Sequence, residues 1–169
     1  EAVNIWCDNK EKTILKYGHI SYWDTKYINS MCSLFLDKDN FNDDISDWNT
    51  NNVITMANMF YNATNFNQNL NNWDTSKIYD MSYMFYNATN FNQNLNNWDM
   101  SKICNMNYMF YNTINFNQDL NNWNLLSIRR IGYIFKNAIN LNKSNYINWN
   151  MSNYYKVNSH IKNYNNMLY

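Results

Sequence analysis

Tryptophan recurs in this chain at a fixed interval: Trp23, Trp48, Trp73, Trp98 and Trp123 are 25 residues apart, and Trp149 follows after 26. Phenylalanine keeps the same beat at Phe35, Phe60, Phe85, Phe110 and Phe135, as does the column Phe41, Phe66, Phe91, Phe116, Leu141. Aliphatic columns run in register with them: Ile28, Val53, Ile78, Ile103, Ile128; then Met31, Met56, Met81, Met106, Ile131; then Leu34, Met59, Met84, Met109, Ile134. Self-similarity at such a period marks an array whose units are each too small to bury their own apolar face and must close it against their neighbours. The Trp and Phe columns are therefore expected to be structural core, each ring meeting its counterparts in the units above and below.

Residues 65–89, NFNQNLNNWDTSKIYDMSYMFYNAT, represent the unit. From Met81 onward the apolar positions Met81, Met84, Phe85 and Ala88 have the i, i+3, i+4, i+7 spacing of one helix face. Phe66 and Leu70 lie in a stretch too brief for a helix, and Ile78 and Met81 flank another, so each unit reads as two short strands and one short helix. The expected fold is an α/β repeat solenoid in three parts: a helical N-terminal cap over 1–19, five tandem repeats over 20–149, and a degenerate last repeat over 150–169.

In the cap, Asp8 and Glu11 match a capping box, and Gly18 stands where a left-handed residue ends a helix. The segment ahead of them, with Ala2, Val3, Ile5 and Trp6, is expected to be helical and to cover the open end of the first repeat, bringing Cys7 toward Cys32. In the last repeat Val157, His160, Ile161 and Met167 take the places of Met81, Met84, Phe85 and Phe91. Either Tyr169 is a truncation point or a protein partner is expected to cover the open C-terminal end, because an uncapped array presents unpaired strand edges.

Composition narrows the function. Aromatic residues make up 18% of the chain, which separates it from disordered Asn-rich sequences. It has two glycines and no proline, so Asn must supply the left-handed positions that turns require. Thirteen basic and thirteen acidic residues cancel, giving no general attraction to nucleic acid or to an anionic membrane. No apolar run approaches a membrane span and no signal peptide is visible, so neither membrane insertion nor a particular compartment is indicated. Cys7, Cys32 and Cys104 form no CxxC pair and are odd in number, which speaks for free thiols rather than zinc or a disulfide framework.

An enzyme finds little support. His19 and His160 are the only imidazoles and neither lies near a nucleophile motif. Asp74 and Asp99 recur at the turn after Trp and are expected to accept bonds from nearby backbone amides rather than act as acids. Asp37, Asp39, Asp43, Asp44 and Asp47 crowd the first repeat but lack EF-hand spacing and its Gly, and read as a solvated acidic edge. Two glycines cannot build a phosphate-cradling loop. No cofactor, metal ion or catalytic residue is expected.

The residues Trp73, Asp74, Ser76, Ile78, Met81, Met84, Phe85, Ala88, Phe91, Asn92, Gln93 and Leu95 follow the pattern W-D-x-S-x-V-x-x-M-x-x-M-F-x-x-A-x-x-F-N-Q-x-L. In this the repeat resembles the BspA-like leucine-rich-repeat surface proteins. The runs EAVNIWC and YGHISYWDT likewise resemble the cap before such arrays in proteins of protists and large DNA viruses. The likeness implies a leucine-rich-repeat-like fold and a non-enzymatic interaction role, and carries no catalytic residues. It weakens after Trp123, where NLLSIRR follows and Leu141, Asn142, Lys143 replace the F-N-Q motif.

Two surfaces could bind. Tyr83 and Tyr86 lie away from the Met84–Phe85 side and continue in neighbouring repeats as Tyr61, Tyr108, Tyr111 and Tyr133, forming two tyrosine stripes that are either an interface or a self-supporting ladder. Asn67, Gln68, Asn69 and their counterparts Asn92, Gln93, Asn94 and Asn117, Gln118, Asp119 form amide ladders that stiffen the array or, with Tyr, read a glycan. Sequons at Asn62, Asn87, Asn142 and Asn150 are what an Asn-rich chain gives by chance, and bear on function only if the chain is secreted. The expected function is a protein-protein interaction or assembly module, displayed on a cell surface, extracellular, or built into a virion; an adhesin-like glycan-binding surface protein is the alternative.

Overall fold

The structure, a computed structural model, describes residues 1–149. The degenerate last repeat, His160, the sequon at Asn150 and the C-terminal docking end all lie outside the described residues.

Two short helices open the chain, α1 (Ala2–Asp8) and α2 (Lys10–Tyr17). The capping residue between them is Asn9, not Asp8: Asp8 is the last residue of α1, while Asn9 is extended and its side chain accepts from the Lys12 amide at 2.9 Å. With Asn9 as the cap, Glu11 falls one position short of the reciprocal contact and serves only as an acidic residue in the first turn, where the helix dipole favours it. Gly18 ends α2 at φ 73, as its lack of a Cβ allows. Val3 and Trp6 on α1 are buried, and Trp6 meets Trp23 edge-on at 5.9 Å, so the helix covers the near end of the tryptophan column.

The expected α/β repeat solenoid, with strands and a short helix in each leucine-rich-repeat-like turn, is not what forms. Among the described residues the only α-helices are α1 and α2, and β-pairing is confined to isolated parallel bridges joining Ser30, Thr55, Asp80, Asn105 and Arg130. Instead the repeats follow one another as stacked turns, with short 3-10 helices at Ile20–Tyr22 and Lys143–Tyr146 as their other regular elements among the described residues. Backbone geometry explains why. Tyr83 and Asn87 take φ of 57° and 56°, and the equivalent positions of the other turns do the same. A left-handed residue every fourth position cannot continue a helix. Alternate amides then point along the stack: Met81, Tyr83, Phe85 and Asn87 donate to the carbonyls of Asn105, Asn107, Met109 and Tyr111 in the next turn, at 2.9–3.0 Å. The amides between them, Met84, Tyr86 and Ala88, bond three residues back, as in successive β-turns. Because this path also turns residues 81, 84, 85 and 88 inward, helical spacing alone could not distinguish it from a helix.

The stretch around Phe66 is no strand for a different reason. Its amides meet side chains: Asn67, Asn92 and Asn117 donate from the backbone to the Oδ1 of Asn42, Asn67 and Asn92 at 2.8–2.9 Å. Gln68, Gln93 and Gln118 donate to the same oxygens. An asparagine side chain thus takes the place of a ladder carbonyl, and no sheet propagates.

The core is a set of columns along the stack. Phe35, Phe60, Phe85, Phe110 and Phe135 are buried and follow one another at 5.5, 5.6, 5.5 and 5.8 Å. Trp48, Trp73, Trp98, Trp123 and Trp149 are buried; Trp23, next to the helices, is partly so. Each buried indole donates to a carbonyl of the preceding turn: Trp48 to Ile20, Trp73 to Ile45, Trp98 to Leu70, Trp123 to Leu95 and Trp149 to Leu120. That bond satisfies the one polar atom of a side chain otherwise placed for its apolar area. Thr25, Thr50 and Thr75 hydroxyls cross to the next turn at 3.0 Å; Met100 and Leu125, buried in the same column, replace that bond with packing.

Candidate functional site

On one flank of the stack the six tyrosines come together. Tyr61, Tyr86 and Tyr111 form one row, with ring centroids 4.6 Å apart and planes within 5°. Tyr83, Tyr108 and Tyr133 form a second row at 4.8 and 5.2 Å. The rows meet through tilted contacts of 5.8 Å between Tyr83 and Tyr86 and 5.9 Å between Tyr108 and Tyr111. The result is one slab in which most ring faces are covered by neighbours, leaving ring edges outward. Lys136 completes its C-terminal end, with Nζ 5.2 Å from the centre of Tyr133, and a depression of 310 Å³ lies between that end and Tyr86.

Each row owes its place to the backbone. Tyr61, Tyr86 and Tyr111 share a column with Leu36 and Lys136, directly before the left-handed asparagines. Tyr83, Tyr108 and Tyr133 are themselves left-handed, at φ 55–57°. For a residue with a bulky side chain that conformation costs about 1–2 kcal/mol. In the same column the first two turns use Ser33 and Asn58 at the same φ. The turn is thus built without tyrosine there, and three strained tyrosines are more than the backbone path requires.

Burial, with Tyr108 and Tyr61 close by, raises the Tyr83 phenol above its usual pKa. Burial together with Tyr61 and Tyr111 does the same for Tyr86. Both therefore remain neutral hydroxyls through the physiological range, able to donate and accept hydrogen bonds.

Beside the slab runs an amide ladder. Asn62, Asn87 and Asn112 each donate from Nδ2 to the side-chain oxygen one turn back, at 2.7–2.8 Å, ending on the carboxylate of Asp37. A second ladder, Asn65, Asn90 and Asn115, runs back to Asn40 at 3.2–3.4 Å. Asn62 and Asn87, two of the sequon residues, are committed to the first ladder. Asn69, Asn94 and Asp119 close local turns by accepting from the amides of Asn71, Asn96 and Asn121. The ladders are structural: their amide groups are spent on one another.

The other residues singled out by sequence are also spent on structure. Asp74 and Asp99 accept from the Ser76 and Ser101 amides at 2.9 Å, and hydrogen bonds from these serines, side chain first, hold both carboxyls below the usual range. In the first turn Asp43 accepts from the Trp6 indole and pairs with Lys10, both at 2.8 Å, and Asp44 accepts from the Ser46 amide. Among the described residues no group of three or more His, Cys, Asp and Glu could hold a metal ion. His19 bonds Ser21 and lies edge-on to Trp6 at 5.0 Å. Cys7, Cys32 and Cys104 are free thiols, with burial raising the pKa of Cys7. No helix among the described residues is long and apolar enough to cross a membrane.

Sequence reasoning placed the tyrosine stripes but missed their charged ends, Asp37 and Lys136. The signal was available in the columns: where other turns carry Asn or Tyr, the first carries Asp37 and the fifth Lys136.

A stack of 25-residue turns, without sheet or repeat α-helix among the described residues and bearing a tyrosine slab, defines a tandem-repeat protein. Its family is shown directly: the chain belongs to DUF285, described as a Mycoplasma protein of unknown function, whose model matches residues 8–114 and again 68–168. That match supports a repeat family and leaves the finer likeness to BspA-like leucine-rich repeats without support. Neither the search of curated proteins nor that of solved structures gave a match.

Proposed function

We propose that this protein is a non-enzymatic protein-interaction or assembly module that engages a protein partner through the tyrosine slab. The observation that carries this reading is the left-handed backbone of Tyr83, Tyr108 and Tyr133, where Ser33 and Asn58 serve the same turn. A ring pair contributes about 0.5–1.5 kcal/mol, and these three residues make two pairs within their row and three tilted ones with the other row, which roughly offset the strain, so tyrosine gives stability little that Ser33 or Asn58 would not. Tyrosine does suit an interface, giving large contact area and a hydroxyl at low entropy cost.

The glycan-binding alternative is less well supported. Sugars pack their C–H faces on open aromatic faces, and the rings here are covered at 4.6–5.2 Å by one another. The surface or virion setting implied by the sequence resemblance is compatible with such a module, and is part of the proposal only.

A glycan array run beside a pull-down, with the full chain and with Tyr86→Ala and Tyr111→Ala, separates the two. The protein reading expects no saturable sugar binding and loss of captured protein in both variants. Saturable sugar binding that both substitutions abolish would overturn it.

A further inference from the structure

Charge is distributed unevenly along the sequence although it sums to zero. Residues 1–49 hold nine acidic and five basic residues, whereas residues 125–169 hold six basic residues and no acidic one. The same polarity appears at the two ends of the tyrosine slab. At the first turn stands Asp37, exposed, in no ion pair among the described residues, with one carboxylate oxygen engaged by Asn62. At the fifth turn stands Lys136, also exposed, lying over Tyr133.

The column that carries the outer row reads Leu36, Tyr61, Tyr86, Tyr111, Lys136 at equal steps of 25 residues. Tyr86 is therefore two turns from the acidic end and two turns from the basic end. A two-fold axis through Tyr86 would lay Tyr61 of one copy against Tyr111 of the other, and Leu36–Asp37 against Lys136, twice. Such an interface is self-complementary, as a two-fold contact must be. Parallel copies would instead set like charge against like.

Periodicity points to the same partner. The ring edges repeat every 4.6–5.2 Å along the stack, so edges of one slab fit the furrows of another only if the pitch is shared over several turns. A second copy meets that condition by construction. A net charge of zero removes the long-range repulsion that keeps identical chains apart.

We infer that the partner of the tyrosine slab is a second copy of this chain, docked antiparallel, with Asp37 of each copy facing Lys136 of the other. This rests on the slab being a protein-binding surface and names what binds it.

Sedimentation equilibrium of the full chain over about 1–300 µM tests it, using wild type, Asp37→Lys, Lys136→Glu and an equimolar mixture of the two variants. Wild type is expected to dimerise, each variant alone to dimerise about tenfold more weakly from two like-charge contacts of modest strength each, and the mixture to recover. Recovery on mixing excludes misfolding as the cause, and Lys136→Gln, with a smaller loss, checks that Lys136 acts by charge. A wild-type monomer across the range, or a dimer indifferent to both reversals, would overturn the inference. Either result leaves the broader reading open to its own test, since a foreign protein captured through Tyr86 and Tyr111 needs no dimer.

Discussion

Replacing Phe85 by alanine removes the middle of the phenylalanine column. The ring is fully buried and stacks on Phe91 at 4.0 Å, Phe60 at 5.6 Å and Phe110 at 5.5 Å. A buried Phe→Ala change costs about 3–5 kcal/mol, and tight stacking on three sides leaves the site little room to collapse, so the upper half of that range is expected. This is a large share of the roughly 5–15 kcal/mol that holds a typical domain together. In a stack each turn is held only by its neighbours, so the damage should spread to both sides. Phe35→Ala is the matched control, because Phe35 has a column neighbour, Phe60, on one side only; its cost should be smaller by about 1 kcal/mol or more, for one lost stacking partner. Urea unfolding followed by far-ultraviolet circular dichroism gives the free energies, and hydrogen exchange read by mass spectrometry gives their distribution. A loss under about 1 kcal/mol at Phe85, or lost protection confined to residues 81–88, would refute the reasoning.

Three further outcomes follow from the same geometry. Tyr133→Asn removes left-handed strain of about 1–2 kcal/mol together with the stacking contact to Tyr108 and the Lys136 ammonium over the ring, so the melting temperature should hold; a fall of several degrees would contradict the strain argument. Asn87→Gly keeps the backbone conformation but deletes bonds to Asn62 and from Asn112, and should cost about 1–3 kcal/mol for the two bonds, measured by urea unfolding; an unchanged midpoint would show the ladder to be idle. The raised phenol pKa values of Tyr83 and Tyr86 mean that their stabilising contribution is fully present below the unfolded value near 10 and is lost as pH rises through the folded value. Absorbance at 295 nm should show tyrosines titrating late, together with loss of structure; simple titration at the free value would count against a packed slab.

Much of this molecule is legible in its sequence because apolar columns must align if turns are to seal one another. The positions of Trp48 to Trp149 and Phe35 to Phe135 followed from the period alone, whereas the tyrosine rows were expected on the outer face of a helix that does not form, the period only carrying them from turn to turn. What the period could not give was the backbone path. Residues 81, 84, 85 and 88 face inward both in a helix and in the alternating path that forms, and the choice was made by Tyr83 and Asn87 turning left-handed. Asn87 hinted at this through its residue type; Tyr83 did not, although Asn58 and Ser33 in its column do. The missing strands have a similar cause, since asparagine oxygens at 42, 67 and 92 accept the amides that a sheet would need. Side-chain amides competing for backbone bonds leave no trace in a hydrophobic pattern. At the candidate site, charge placement at Asp37 and Lys136 emerged only once the turns were stacked.

The amide-to-carbonyl pairing between turns can be seen directly by NMR, through scalar coupling across hydrogen bonds in isotopically labelled protein. The stack requires correlations from the amide nitrogens of Met81, Tyr83, Phe85 and Asn87 to the carbonyl carbons of Asn105, Asn107, Met109 and Tyr111. Correlations from Phe85 to Met81 instead, four residues back as in a helix, would contradict it.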